Sequence, residues 1–181
     1  MKLRGDTLKE LAKKAGVAPE QLAQSVERTG LTGERAVSAV KNWMAGRDHP
    51  RCKAVDVAKL AAAVGVAPKA IAAFRSEVRY HRGSPRKAKL LVDLIRGRNV
   101  IEAENLLRFN QKRAAVDVLK ALRAAVSDAQ LAEADETTLF VSESTVTDGP
   151  VIKRFQPKDR GRAHSILKRM GHVTVSVQER A

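Results

Sequence analysis

Hydrophobic positions change their period along this chain, and the change divides it in two. From Thr7 to about Arg75, apolar residues, many of them alanine, recur every three or four positions, which is the pattern of amphipathic helices. Leu8, Leu11, Ala12 and Ala15 predict a first helix, with Thr7-Leu-Lys-Glu10 as a capping box opening it and Gly16 ending it. Pro19 to Arg28 predicts a second helix. Gly33 to Ala45 predicts a third, with Ala36, Val37, Val40 and Met44 on its inner face. Lys53 to Val64 predicts a fourth, and Pro68 to Arg75 a short fifth. Leu11-Ala-Lys-Lys-Ala-Gly-Val-Ala-Pro19 recurs as Leu60-Ala-Ala-Ala-Val-Gly-Val-Ala-Pro68, either an internal repeat or two similar helix–turn–helix corners.

Beyond Arg75 the pattern becomes mixed. Glu77-Val-Arg-Tyr80 alternates and predicts a short strand. Ser84-Pro85 is an N-cap followed by proline at the first helical position, and opens a helix whose apolar face is Ala88, Leu91, Val92 and Ile95. Asn99-Val-Ile-Glu102 caps a further helix, and a long one runs from about Lys112 to Leu131. Leu139 to Thr147 and Val173 to Val177 are rich in β-branched residues and predict the paired base of one long hairpin, about 142–178, turned at Pro157 to Gly161. The expected fold is therefore α+β: three helices packed on a small antiparallel sheet with a long protruding β-hairpin. A separate all-α domain of residues 1–75 precedes the domain of residues 76–181.

Charge sharpens this picture. The net charge is +14 with a pI near 10.4, the balance of a nucleic-acid or anionic-surface binder. The far end of the hairpin carries Lys153, Arg154, Lys158, Arg160, Arg162, Lys168 and Arg169 against one acid past its opening turn, Asp159. At ten residues per arm it reaches ~30 Å, too far from a core to be held by one, so an external polyanion must hold it. A second cluster, Arg79, Arg82, Arg86, Lys87 and Lys89 with His81, surrounds the helix start at Ser84, where free N–H groups and the dipole favour phosphate. Arg96, Arg98, Lys112, Arg113, Gln156 and His164 complete the candidate RNA contacts. Aromatic residues are few, which favours phosphate and shape readout over base stacking.

Other chemistries find no support. The four histidines lie in different predicted elements, with no triad, metal or phosphate-loop spacing around them, so no catalytic, metal or cofactor site is expected. Cys52 is the single cysteine, which removes disulfide frameworks. No secretory leader or membrane span is expected, and an intracellular setting is the default. Residues 1–75 carry fourteen basic and seven acidic residues, spread over several helices and with no apolar stripe left for a homo-oligomer. They are expected to dock through phosphates on RNA or on a neighbouring protein.

Two resemblances bear on these expectations. Leu22-Ala23, Val37, Trp43, Gly46, Pro50, Leu60-Ala61 and Gly65-Val66 loosely resemble the small helix-turn-helix domains of phage-repressor type, with Arg35, Ser38, Lys41 and Asn42 on the candidate recognition helix. Residues 76–181 closely resemble the bacterial large-subunit ribosomal protein 22 family. The matching residues are Lys89-Leu-Leu-Val-Asp-Leu-Ile-Arg-Gly97, Lys112-Arg-Ala-Ala115, Asp148-Gly-Pro150, Lys153-Arg154, Pro157, Arg160-Gly-Arg-Ala163, Ile166-Leu-Lys-Arg169 and His172-Val-Thr-Val175. That resemblance implies a non-enzymatic ribosomal protein in the cytoplasm. Its partners are 23S ribosomal RNA and neighbouring large-subunit proteins. Its hairpin tip, Pro157, Lys158, Asp159, Arg160, Gly161 and Arg162, lines the peptide exit tunnel and meets the nascent peptide. Asp159 departs from the small or cationic residue expected there, and residues 1–75 lie outside the resemblance.

Overall fold

The computed structural model describes residues 1–180. The chain packs into two compact units. The first is Met1–Phe74 with Asp128–Ala134 and the residues from Gln178 onward; the second is Arg75–Ser127 with Asp135–Val177.

In the first unit a short strand, β1 (Lys2–Leu3), precedes helices α1 (Gly5–Ala15), α2 (Pro19–Val26), α3 (Glu34–Met44), α4 (Ala54–Val64) and α5 (Pro68–Ile71). α1 begins two residues before the expected cap, with Arg4 at the N-cap and Thr7 inside the helix. Pairing fixes that start. β1 lies antiparallel to residues 72–73, and Arg4 N–H donates to the Ile71 carbonyl at 2.8 Å. Gly5 can then press against α3, where any Cβ would stand 2.1 Å from the Trp43 carbonyl oxygen. The repeated nonapeptides form the same corner twice. Gly16 and Gly65 adopt left-handed φ of 68° and 77°. Val17 and Val66 N–H then reach back to the Ala12 and Ala61 carbonyls, both at 3.0 Å. Pro19 and Pro68 start the next helices.

The inner face of α3 is Ala36, Ala39, Val40 and Trp43. Val37 and Met44, expected inside, are only half-buried. The bulky indole sets this rotation, since Trp43 is buried and its Nε1–H donates to the Pro50 carbonyl at 2.6 Å. α2 is shorter than expected because the chain turns after Val26, with a β-bridge between Arg28 and Leu31. Lys69 ties distant chain segments into this unit, pairing with Glu179 at 3.3 Å and donating to the Glu133 carbonyl at 3.2 Å.

The expected fifth helix ends early. α5 stops at Ile71, and β2 runs unbroken over Ala72–Arg82, so Arg75 lies within a strand. Ile71, Ala72 and Phe74 are completely buried. An alanine-rich stretch favours helix by propensity, but pairing with β1 and burial prevail over it.

The chain continues with α6 (Pro85–Ile95), α7 (Val100–Arg108), α8 (Ala114–Gln130), β3 (Leu139–Asp148), β4 (Ile152–Pro157), β5 (Ala163–Lys168) and β6 (Met170–Glu179), all in the second unit except the last residues of α8 and β6. The main sheet has the order β1-β2-β6-β3, and β4-β5 form a separate two-stranded ladder. α6 and α7 pack on β3. Ala88, Leu91, Val92 and Ile95 of α6 are buried, with Val100, Ala103 and Leu107 of α7 and Val118, Ala121, Leu122 and Ala125 of α8. Asn99 is the N-cap of α7 but makes no side-chain cap bond. Its expected partner Glu102 instead pairs with Arg98.

Candidate nucleic-acid interface

The paired part of the arm is shorter than ten residues a side. β4 and β5 pair over six residues each, from Ile152↔Lys168 to Pro157↔Ala163, which gives ~20 Å of ladder rather than ~30 Å. At the root, Pro150 has no N–H to offer, and Gly149 N–H donates to the Met170 carbonyl at 2.9 Å. The tip loop closes with Lys158 N–H on the Arg162 carbonyl at 2.7 Å, and Arg160 takes a left-handed φ of 56°.

Register sorts the arm into two faces, because directly opposed residues share a side. Ile152 and Lys168, Arg154 and Ile166, and Gln156 and His164 share one face; Lys153 and Leu167, Phe155 and Ser165, and Pro157 and Ala163 share the other. Phe155 is 76% exposed, so one face adds an aromatic ring to the cations. All seven arm cations are exposed. None of them takes part in an ion pair among the described residues.

The arm root meets the second basic cluster. A cleft of about 500 Å³ is lined by Arg82, Gly83 and Ser84 from the start of α6, and by Ile152, Arg154, Leu167, Lys168, Arg169 and Met170 from the arm. A second cleft of about 590 Å³ shares His81, Arg82, Gly83 and Ser84 and adds Lys87, Leu90, Lys112, Arg113 and Ala114. The first residues of α6 and the approach to α8 therefore face the same solvent region, and no acidic residue lines either cleft. Exposed cations beside free helix N–H groups make a strong local attraction for phosphate.

Not every candidate is placed to reach a ligand. His81 is buried, and its Nδ1 lies 2.5 Å from Asp117 Oδ2 on α8. A bulge explains this. Along β2 the inward positions are Ser76 and Val78, but Tyr80 takes φ 59° and the phase slips by one, sending Tyr80 out and His81 in. His172 holds the bulge: it accepts the Tyr80 N–H at 3.3 Å, and the two rings stack edge-on at 5.0 Å. Arg96 is engaged with Asp93 at 2.8 Å and with the Ser144 carbonyl. Arg98 is tied to the Leu94 carbonyl and Glu102, and Arg79 pairs with Glu77 at 3.1 Å. Arg86, Lys87, Lys89, Lys112 and Arg113 remain exposed.

Among the described residues no group of three or more metal-ligating side chains gathers, and no helix is long and apolar enough to cross a membrane. Cys52 is buried, and burial, aided by Asp56 and Asp48, pushes its thiol up to about 12. A protonated, covered thiol is a poor nucleophile. Native protein at pH 8 will therefore react with iodoacetamide far more slowly than protein in urea, as mass spectrometry of the Cys52 peptide will show; equal rates would contradict the packing around it.

Comparison with known proteins agrees with this arrangement. The family model described as Ribosomal protein L22p/L17e matches residues 76–178. A large ribosomal subunit protein uL22 from Clostridium novyi (strain NT) is 45% identical over 108 residues, covering 59% of this chain and 97% of that protein. The protein of that name from Clostridium acetobutylicum is 48% identical over 103 residues, covering 56% and 93%. That from Fervidobacterium nodosum is 47% identical over 107 residues, covering 59% and 73%. The β2-bulge strand, the three helices and the basic arm thus coincide with one family's span, and this chain belongs to the ribosomal protein L22p/L17e family.

Proposed function

We propose that the chain is a structural, non-enzymatic component of the large ribosomal subunit in the cytoplasm, and that its second unit binds 23S ribosomal RNA through phosphate contacts. The observation that carries the RNA-binding reading is the set of seven exposed arm cations with no ion pair among the described residues, of which Arg154, Lys168 and Arg169 meet Arg82 at the arm root. Two strands with little apolar cover stay ordered when a polyanion binds both sides. The body, between α6 and the sheet, sits near the tunnel opening. The tip, from Pro157 to Arg162, lines the exit-tunnel wall and meets the nascent peptide, with neighbouring ribosomal proteins around the body. Residues 1–74, packed with Asp128–Ala134 and the residues from Gln178, add a largely helical unit whose N-terminal part lies outside the family span.

The test is binding of the full chain to a large-subunit RNA fragment across a salt series. Seven phosphate contacts from the arm give a log–log slope of about −5 to −6, between the single-strand and duplex coefficients. Co-sedimentation with large subunits should persist in high salt. A slope near zero, or loss from subunits in moderate salt, contradicts this reading.

A further inference from the structure

Residues 1–74 lie outside the family span, and their cations are scattered in sequence. The fold gathers several of them. A cleft of about 490 Å³ opens along the outer face of α3. Arg35, Ser38 and Asn42, three and four residues apart on that face, line it from the helix. The turn Arg28–Leu31 and residues His49, Pro50 and Lys53 line the rest. No acidic residue lines it.

Three of the acids nearby in sequence are engaged with other groups, and Glu34, next to Arg35 in sequence, does not line the cleft. Glu27 accepts the Gly33 N–H at 3.1 Å, and Asp48 accepts the Cys52 N–H at 2.9 Å. Asp56 accepts the Lys53 N–H at 2.9 Å and lies 3.0 Å from Arg28 Nη1. Arg35 and the Lys53 ammonium have no ion-pair partner among the described residues. Arg35 and Lys53 therefore bring two cations free of ion pairs to a lining that holds no acid.

We propose that this cleft is a second nucleic-acid site, which takes the phosphodiester backbone of an RNA strand. It goes beyond the arm's role and does not depend on it. Charge complementarity selects the backbone as ligand. The cleft's form selects its mode. A groove reader projects its helix clear of its surroundings into a major groove, whereas the outer face of α3 shares its cleft with the turn Arg28–Leu31 and with His49, Pro50 and Lys53. Such a helix face can hold a strand laid along it but cannot enter a duplex groove. Base stacking is not available from Trp43, which is buried and hydrogen-bonded to Pro50. A protein partner would want an apolar centre, but of the cleft's apolar members Leu31 and Ala39 are buried and Pro50 alone is partly exposed.

The test uses the full chain, with a short oligouridylate and a duplex DNA as probes. Arg35→Gln/Lys53→Gln is compared with an arm variant in which Lys153, Arg154, Lys168 and Arg169 are all glutamine. Arg35 and Lys53 are exposed, and Lys53 keeps its backbone bond to Asp56, so the fold should hold, with Trp43 emission as the check. The cleft variant should lower the oligouridylate salt slope by about 1.4, at ~0.7 per phosphate neutralised. Ultraviolet cross-links within residues 28–53 should disappear, while those in the arm remain. An unchanged slope without cross-links in 28–53 overturns the proposal. So does tighter binding to duplex DNA with a defined footprint, which would make α3 a groove reader. If the arm variant keeps full affinity while the cleft variant loses it, the arm reading fails and the cleft stands.

Discussion

Asp56→Ala lowers the stability of the first unit by about 3 kcal/mol. Asp56 is 2% exposed and does two jobs at the start of α4. Its Oδ2 accepts the Lys53 N–H at 2.9 Å, which satisfies a free donor at the helix N-terminus. It also stands 3.0 Å from Arg28 Nη1, whose side chain is 23% exposed. That nitrogen has no aligned acceptor, so the contact is one of charge rather than a hydrogen bond. Removal leaves a largely covered guanidinium without its counter-charge, with only the Arg51 carbonyl, 3.1 Å from Nη2, to share the load. Asp56→Asn keeps the bond to Lys53 and loses the charge, so its cost should be roughly half. Urea unfolding followed by Trp43, the single tryptophan and a member of this unit, reads both variants. Cys52 is a second readout, because the Asp56 charge helps to hold its thiol protonated and either variant lowers that pKa. An Asp56→Ala midpoint equal to the parent's would mean that the pair contributes nothing.

Where local and tertiary forces agree, the sequence suffices. Ala88, Leu91, Val92 and Ile95 are read directly from helical spacing, and all four are buried. Glycine stops at 16 and 65, each followed by valine, alanine and proline, specify their corners without help from elsewhere. The misreadings have particular causes. Ala72 and Ala73 look helical, and only pairing with Lys2 and Leu3, some seventy positions away, makes them a strand. Thr7 is a sound capping residue, but the start of α1 is fixed by the Arg4–Ile71 bond and by the close approach of Gly5 to Trp43. The bulge at Tyr80 has no glycine to announce it, so His81 reads as one more member of a basic surface run. Arg35 and Lys53 look like dispersed solvated charges until the turn at Arg28–Leu31 and the loop at His49–Lys53 bring them to one cleft. Short-range pattern shows which residues face inward; it does not show which distant surface residues become neighbours.

Replacing Lys153, Arg154, Lys168 and Arg169 together by glutamine should weaken binding to large-subunit RNA by about 10³-fold at 0.1 M salt, while changing the stability of the body by less than ~0.5 kcal/mol. The two effects separate because the residues belong to different physical systems. All four side chains are exposed on the ladder or at its root, and none has an ion-pair partner among the described residues. The core of the second unit is built from α6, α7, α8 and the inner faces of β3 and β6, with Val173, Val175 and Val177 fully buried. Nothing in that core rests on the four charges. Each phosphate left without its cation forgoes counterion release worth close to one decade at 0.1 M salt, and four together reach about three decades. The slope against salt should fall by about 3 in the same experiment. That fall separates the removal of phosphate-neutralising charge from a merely disturbed arm, which would weaken binding at every salt concentration by a similar factor. Glutamine preserves strand pairing and length, so circular dichroism and thermal unfolding should be unchanged. If the variant unfolds in isolation, the arm carries structural weight that its exposed ladder does not reveal; if affinity and slope are both unchanged, the RNA-binding surface lies elsewhere.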